Sequence, residues 1–170
     1  MELGIKGKVA LVTASSRGIG RAIAEGLVAE GCIVTICSRN KDDLLTAVNE
    51  IKKKYLVEPS WCVCDLNKLN DIENTVASVK KQFGSIDILV NNCGGPVAGH
   101  FQDLSDINWQ AAFEQVLLST VRLCNLIVPD MLLKEWGRII NITSVAVKQP
   151  IDNLMLSNSL RNGVIGFAKL

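Results

Sequence analysis

The sequence predicts a single α/β domain built on a doubly wound parallel sheet, and two observations carry that prediction. Five short apolar runs rich in β-branched residues alternate with longer amphipathic stretches, which is the pattern of repeated strand–helix–strand units. The runs are almost continuously apolar, as expected of strands that are covered on both faces. The 170 residues match the length of one domain, so we assign residues 1–170 to it.

The elements follow one another at regular spacing. The predicted strands are 9–13, 33–38, 60–65, 87–91 and 138–143. The predicted helices are 19–30, 41–54, 69–83, 107–134 and a last one that begins near residue 156. Gly31, Gly84 and Gly137 each come just before a predicted strand, where a glycine can end the preceding helix.

Charge and cysteine usage exclude several classes of protein. Eighteen basic and seventeen acidic residues leave a net charge of +1, so we expect neither a nucleic acid nor a membrane as a partner. The N-terminal segment MELGIKGK lacks the apolar core of a signal peptide. The six cysteines follow no metal-ligand spacing. We therefore predict no metal site, and small buried thiols in a cytoplasmic protein.

The turn after the first predicted strand indicates a phosphate-binding site. Thr13 ends the strand, and the turn then runs through Ser15, Ser16, Arg17, Gly18, Ile19 and Gly20 into a helix. Small residues at such a turn let the backbone approach a pyrophosphate, and the helix N-terminus supplies N–H donors. The alternative is a plain tight turn. The strand–turn–helix context favours a dinucleotide site.

The end of the second predicted strand indicates which dinucleotide is bound. An NAD-binding site usually has a carboxylate there, which accepts from a ribose hydroxyl. This chain has Ser38 and Arg39 instead, and Arg17 in the first turn offers a second guanidinium. Two guanidiniums suit a 2′-phosphate, so the sequence favours NADP(H) over NAD(H).

Together with the segments CDL (64–66) and NNCGG (91–95), these features make the chain resemble the short-chain dehydrogenase/reductase family. The resemblance runs from residue 5 to the last residue and is nearest to the 3-oxoacyl-carrier-protein reductase branch. It implies a Rossmann-type fold and a homo-oligomer. It also implies an NADP(H)-dependent oxidoreductase that acts on a small-molecule carbonyl or alcohol.

The resemblance also assigns cofactor residues. The family motif Thr-Gly-x-x-x-Gly-x-Gly falls on Thr13, Ala14, Gly18 and Gly20, and the alanine is tolerable if its φ is negative. The family's adenine and adenosine contacts fall on Asp65, Leu66, Asn92, Cys93 and Gly94. Cys93 stands where the family has alanine, so we expect an inert small residue rather than a reactive thiol.

The catalytic positions depart from the family. Its serine falls on Ser144, whereas its tyrosine and lysine positions hold Ser157 and Arg161, and its asparagine position holds Val116. Serine is a poor proton donor, and arginine keeps its proton in proteins, although Arg161 can still hold the cofactor ribose. Ser157 and Arg161 form either a repurposed catalytic pair or a merely solvated pair.

Three other residues are candidates for the missing acid. His100 is the only side chain with an ordinary pKa near neutrality, but a solvated loop histidine is the alternative. Lys148 and Asp152 are weaker candidates of the same kind.

Two functions follow: an NADP(H)-dependent oxidoreductase with a non-standard catalytic set, or a non-catalytic NADP-binding module or silent subunit. Relatives continue for two more strands, so we expect a truncated chain that a longer protein or a partner completes.

Overall fold

The computed structural model describes residues 2–169 and contains a five-stranded sheet. Its strands are β1 (Val9–Val12), β2 (Ile33–Ser38), β3 (Ser60–Val63), β4 (Ile88–Asn91) and β5 (Arg138–Asn141). They pair in parallel in the order β3-β2-β1-β4-β5. The chain therefore moves outward from β1 to β3 and then crosses to β4 on the other side. Met1 and Leu170, the ends of the predicted domain, lie outside the described residues.

Within the described part of the chain, six α-helices connect or follow the strands. They are α1 (Gly18–Ala29), α2 (Lys41–Tyr55), α3 (Leu69–Phe83), α4 (Asp106–Ala112), α5 (Ser119–Leu133) and α6 (Met155–Phe167). A π-helical segment, Phe113–Leu118, joins α4 to α5, so that the predicted helix 107–134 is one continuous run with a widened middle. Short 3₁₀ turns cover Phe101–Asp103 and Val145–Val147.

Helices pack on both faces of β1, β2 and β4, which confirms the doubly wound prediction, whereas β5 is largely exposed. Alternate strand residues point to opposite faces because the side-chain period of a strand is two. One face packs against α1 and α2 through a core that includes Ala10, Val12, Val34, Ile36, Leu44 and Ile51. The other packs against α3 and α5 through Val9, Leu11, Cys37, Ile72, Leu89 and Leu123.

The helix ends confirm two of the three predicted glycine caps. Gly31 and Gly84 adopt φ of +77° and +85° after α1 and α3, a region that a glycine enters without penalty. The prediction for Gly137 is wrong, because the left-handed residue after α5 is Glu135, with φ +53°. Gly137 is required for a different reason: a Cβ there would lie 2.5 Å from the sulfur of Met131.

The helical run Asp106–Leu133 is long and apolar enough to cross a membrane by length and composition. An apolar helix in a protein core has the same properties. Here the α5 part of the run packs against α3, and Leu123 and Ile127 are buried against the sheet. These contacts identify the run as a core helix of this domain.

Candidate functional site

A cleft of about 330 Å³ lies where the carboxyl ends of β1, β2, β3 and β4 meet. In open α/β sheets, ligands bind at this edge, where the strand order changes direction. Ten of the predicted cofactor residues line the cleft: Ser16, Arg17, Ile19, Ser38, Arg39, Asp65, Leu66, Asn92, Cys93 and Gly94.

The cleft has further lining residues, of which Ala14 and Cys64 belong to motifs noted in the sequence and the others do not. They are Ala14, Asn40, Asp43, Cys64, Asn67 and Gln115. Position could have indicated the first five, because each closely follows a strand end or begins the next helix. Gln115 lies on the π-helical segment and donates from Nε2 to the carbonyl of Gly94 at 3.1 Å. No local pattern indicates that contact.

Thr13 and Ser15 shape the cleft without lining it. Thr13 Oγ1 accepts from the N–H of Asn92 at 2.9 Å and donates to the Asn92 carbonyl at 2.7 Å. Ser15 Oγ donates to the carbonyl of Val12 at 2.6 Å and accepts from the N–H of Cys37 at 3.1 Å. Both side chains are buried. They fix the first turn against β4 and β2, and so they act on its shape rather than as direct contacts.

The first turn requires its two glycines for different reasons. Gly18 has φ +60°, which favours a residue without a Cβ. A Cβ on Gly20 would lie 2.6 Å from both the Ala14 carbonyl oxygen and Nδ2 of Asn92. No side chain caps the N-terminus of α1, where Arg17 is extended. The N–H groups of the first turn are thus left for an anion beside the cleft.

Ala14 contradicts the condition set for it from the sequence. Its φ is +45° rather than negative, and a left-handed conformation costs an L-residue about 1–2 kcal/mol. The alanine therefore stores backbone strain where the family pattern has glycine.

Replacing Ala14 with glycine is expected to raise the free energy of unfolding by about 0.5–1 kcal/mol, since relief of strain exceeds the entropy that glycine adds to the unfolded chain. Urea unfolding at constant m-value measures the change. Ala168→Gly is the matched control, because Ala168 ends α6 with φ −73° and should lose stability. Equal effects at both positions would contradict the assignment of strain to Ala14.

The cations of the cleft are free to bind an anion. Arg17 and Arg39 line it, and neither forms an ion pair with another side chain in the described range 2–169. Arg21, by contrast, is paired with Glu25 and Glu50. Two free guanidiniums beside an uncapped helix N-terminus match a dinucleotide that carries an additional phosphate. The residues present therefore fit NADP(H).

Asp65 and Cys93 both line the cleft. Asp65 Oδ1 accepts from the N–H of Asn67 at 3.1 Å, and the Asp65 N–H donates to Oδ2 of Asp71 at 3.0 Å, so the carboxylate has a fixed orientation. Burial raises the pKa of the Cys93 thiol above its ordinary value, although the adjacent Arg161 guanidinium favours the thiolate. The thiol is therefore protonated at neutral pH, in agreement with an inert residue.

Ser144 lies just beyond the end of β5 and caps the 3₁₀ turn Val145–Val147. Its Oγ accepts from the N–H of Ala146 at 3.1 Å, so its own hydrogen remains available to donate.

Val116 is 2% exposed in the π-helical segment. Thr120 Oγ1 donates to the Val116 carbonyl at 3.1 Å, so this carbonyl of the π-helical segment has a hydrogen-bond partner.

Ser157 and Arg161 are buried, with exposures of 7% and 8%, so the solvated alternative is wrong. Arg161 does not line the cleft with the other predicted cofactor residues. Its Nη1 donates to the carbonyls of Ile142 and Thr143 at 2.9 and 3.1 Å. Direct contact between Arg161 and a cofactor thus stays a prediction that this geometry does not favour.

His100 and Asp152 come together on the surface, with Nδ1 and Oδ1 3.4 Å apart and side chains 50% and 94% exposed. A backbone bridge holds their two loops, in which the Gly99 N–H donates to the Asn153 carbonyl at 2.6 Å. Lys148 is exposed. None of the three candidate acids lines the cleft, and neither do the predicted catalytic residues Ser144, Ser157 and Arg161. The high exposure of His100 and Asp152 favours the solvated alternative for His100.

The six cysteines are free thiols. Within residues 2–169, no group of three His, Cys, Asp or Glu side chains could hold a metal ion.

Comparison with known proteins gives consistent matches. The short chain dehydrogenase family matches residues 8–170. The 3-oxoacyl-[acyl-carrier-protein] reductase of Haemophilus influenzae is 35% identical over 167 residues, which cover 97% of this chain and 66% of that protein. The structure of L-sorbose reductase from Gluconobacter frateurii with NADPH and L-sorbose superimposes with a TM-score of 0.95 at 35% identity, covering 99% of this chain and 64% of the other.

An actinorhodin polyketide ketoreductase with NADPH gives a TM-score of 0.91 at 35% identity, over 96% of this chain and 63% of the other. The chain spans 58 to 63% of the length of three further matched proteins. The similarity thus extends over almost all of this chain but less than two thirds of each of these relatives.

Proposed function

This chain belongs to the short chain dehydrogenase family, and from that premise we propose that it is an NADP(H)-dependent oxidoreductase that interconverts a carbonyl and a secondary alcohol. One observation carries the proposal. The cleft at the carboxyl edge of the sheet combines an uncapped helix N-terminus with the guanidiniums of Arg17 and Arg39, which form no ion pair among residues 2–169. Structures of similar proteins that contain NADPH support the same cofactor.

Different groups of residues would hold different parts of the cofactor. The first turn of α1 and Ser16 bind the pyrophosphate, and Arg17, Ser38 and Arg39 bind the 2′-phosphate. Asp65, Leu66, Asn92, Cys93 and Gly94 surround the adenosine. When bound, the nicotinamide supplies or accepts the hydride.

Ser144 orients the substrate by donating its hydroxyl hydrogen to the carbonyl oxygen, where negative charge develops. Ser157 and Arg161 occupy the acid and lysine positions without the chemistry of a tyrosine–lysine pair. An aliphatic hydroxyl is a much weaker acid than a phenol, whose pKa is about 10, and the guanidinium keeps its proton. The proton for the substrate oxygen therefore comes from water rather than from Ser157 or Arg161.

The substrate class and setting are proposed from similarity. The matched proteins include a 3-oxoacyl-[acyl-carrier-protein] reductase and a reductase of L-sorbose, so we assign a small-molecule ketone or alcohol. We also assign a cytoplasmic homo-oligomer, with neither nucleic acid nor membrane as a partner.

A second candidate is a nucleotide-binding module or silent subunit without turnover. The observation that favours it is the burial of Ser157 and Arg161, which removes both from the surface that a substrate would meet. In this case the chain binds the cofactor but catalyses no reaction.

Titration of the complete protein with NADPH and NADH, followed by turnover on an oxoacyl thioester and a ketose, separates these functions. We expect NADPH to bind at least about tenfold more tightly than NADH, since a charge-assisted contact contributes about 1.5–3 kcal/mol. We also expect NADPH to be oxidised faster with substrate than in buffer. Binding without turnover across a broad panel of carbonyls would support the silent module. Equal affinities would contradict the cofactor assignment.

A further inference from the structure

Arg161 is a buried cation with an unusual set of partners. Arginine is almost never fully buried unless it is paired, and removing a guanidinium from water costs several kcal/mol. Arg161 is 8% exposed, yet within residues 2–169 it forms no ion pair with a carboxylate. Its guanidinium donates to two backbone carbonyls and lies beside the Cys93 thiol.

Those carbonyls belong to Ile142 and Thr143, the two residues directly before Ser144. The β4–β5 ladder ends at this point, where the Ile142 N–H donates to the Asn91 carbonyl at 2.9 Å. Beyond that bond, Arg161 supplies donors to the next two carbonyls, and the Ser144 Oγ–Ala146 contact begins the 3₁₀ turn. The guanidinium thus holds the stretch of backbone that carries Ser144.

The surroundings of Arg161 leave no room for a water chain. The void beside it, which Cys93 and Val116 also line, has a volume of about 10 Å³, the lower limit for one water molecule. Val116 is 2% exposed and contributes no polar group, whereas polar side chains such as Asn91 and Asn141 also line this void. The void is too small for a chain of waters, and Arg161 does not line the cofactor cleft.

We propose that Arg161 is a positioning residue that clamps the backbone of Ile142 and Thr143 and thereby places Ser144, and that it is not a ligand of the cofactor. The proposal rests on the proposed function only where it assigns Ser144 to the substrate. Arginine suits this role better than lysine, because its donors are arranged in a rigid plane and it is more weakly hydrated than an ammonium group.

Arg161→Met and Arg161→Lys in the complete protein test the clamp, and Arg138→Met is the matched control. Arg138 also donates from Nη1 to a backbone carbonyl, that of Gly137, but it is exposed at the opposite end of β5. For both Arg161 variants we expect the Kd for NADPH to stay within threefold of the wild type. Hydrogen exchange in residues 142–148 should accelerate at least about tenfold in Arg161→Met and less in Arg161→Lys, whose amine keeps one contact. Arg138→Met should change neither quantity.

A double-mutant cycle with Ser144→Ala separates positioning from general structural damage. If Arg161 acts through Ser144, Arg161→Met lowers kcat in the wild type without raising the KM for NADPH, and causes no further loss in the Ser144→Ala background. Arg161→Lys should recover part of kcat. Additive losses, unchanged hydrogen exchange in residues 142–148 or NADPH binding weakened by threefold or more would overturn the proposal. The binding and exchange measurements decide it even if the protein has no turnover, and Arg161→Lys replaces Arg161→Met if the latter fails to fold.

Discussion

Replacing Ser144 with alanine is expected to lower kcat/KM for carbonyl reduction by about 100- to 1,000-fold and to leave the Kd for NADPH unchanged. The Ser144 hydroxyl accepts from the N–H of Ala146, which fixes the oxygen and leaves the hydrogen to donate. A fixed donor to an oxygen that gains charge in the transition state contributes this much to the rate. Steady-state kinetics of NADPH oxidation, with binding measured separately by fluorescence titration, checks both parts of the expectation.

Ser159→Ala is the control for this experiment. Ser159 is an exposed serine of α6, and its hydroxyl donates to the carbonyl of Met155 at 3.0 Å, within its own helix. We expect this variant to retain the wild-type kcat/KM. A loss below tenfold in Ser144→Ala, or an equal loss in the control, would remove Ser144 from the reaction.

The fold was predictable because its determinants are local and repeated. Strands covered on both faces have to be apolar at consecutive positions, and β1 and β4 are buried along their whole length. The end of α5 was not predictable in the same way. The chain turns there at Glu135, and Gly137 is needed because Met131 approaches it. That approach depends on how the last turn of a helix packs, which no glycine pattern encodes.

The same distinction between local sequence pattern and tertiary packing applies to the residues of the candidate site. Residues that line the cleft follow strand ends, and parallel strands bring their carboxyl ends to one edge, so Arg39 and Asp65 could be located from the chain order alone. The surroundings of Ser157 and Arg161 depend on where α6 lies relative to β5. That placement is a tertiary contact, and no spacing of residues within α6 indicates it. Spacing placed the two on one helical face, but it could not say that the face is buried.

The largest expected effect on cofactor binding is that of Arg39→Ala. Arg39 follows β2 directly, lines the cleft and forms no ion pair within the described residues. A contact between its guanidinium and a 2′-phosphate is worth about 1.5–3 kcal/mol, so its removal should raise the Kd for NADPH by about 10- to 100-fold. NADH lacks that phosphate, and its Kd should stay within about twofold, a separate readout of which part of the nucleotide Arg39 contacts.

Arg138→Ala serves as the control in the same titrations, because Arg138 is an exposed arginine at the amino end of β5, away from the cleft. If net charge alone attracted the nucleotide, both variants would weaken NADPH binding equally, and the loss would vanish at high salt. A local contact makes the loss specific to Arg39 and to NADPH. Equal losses of NADPH and NADH affinity in Arg39→Ala would place the guanidinium on the pyrophosphate, and the preference for NADP(H) would then have to come from Arg17 and Ser38.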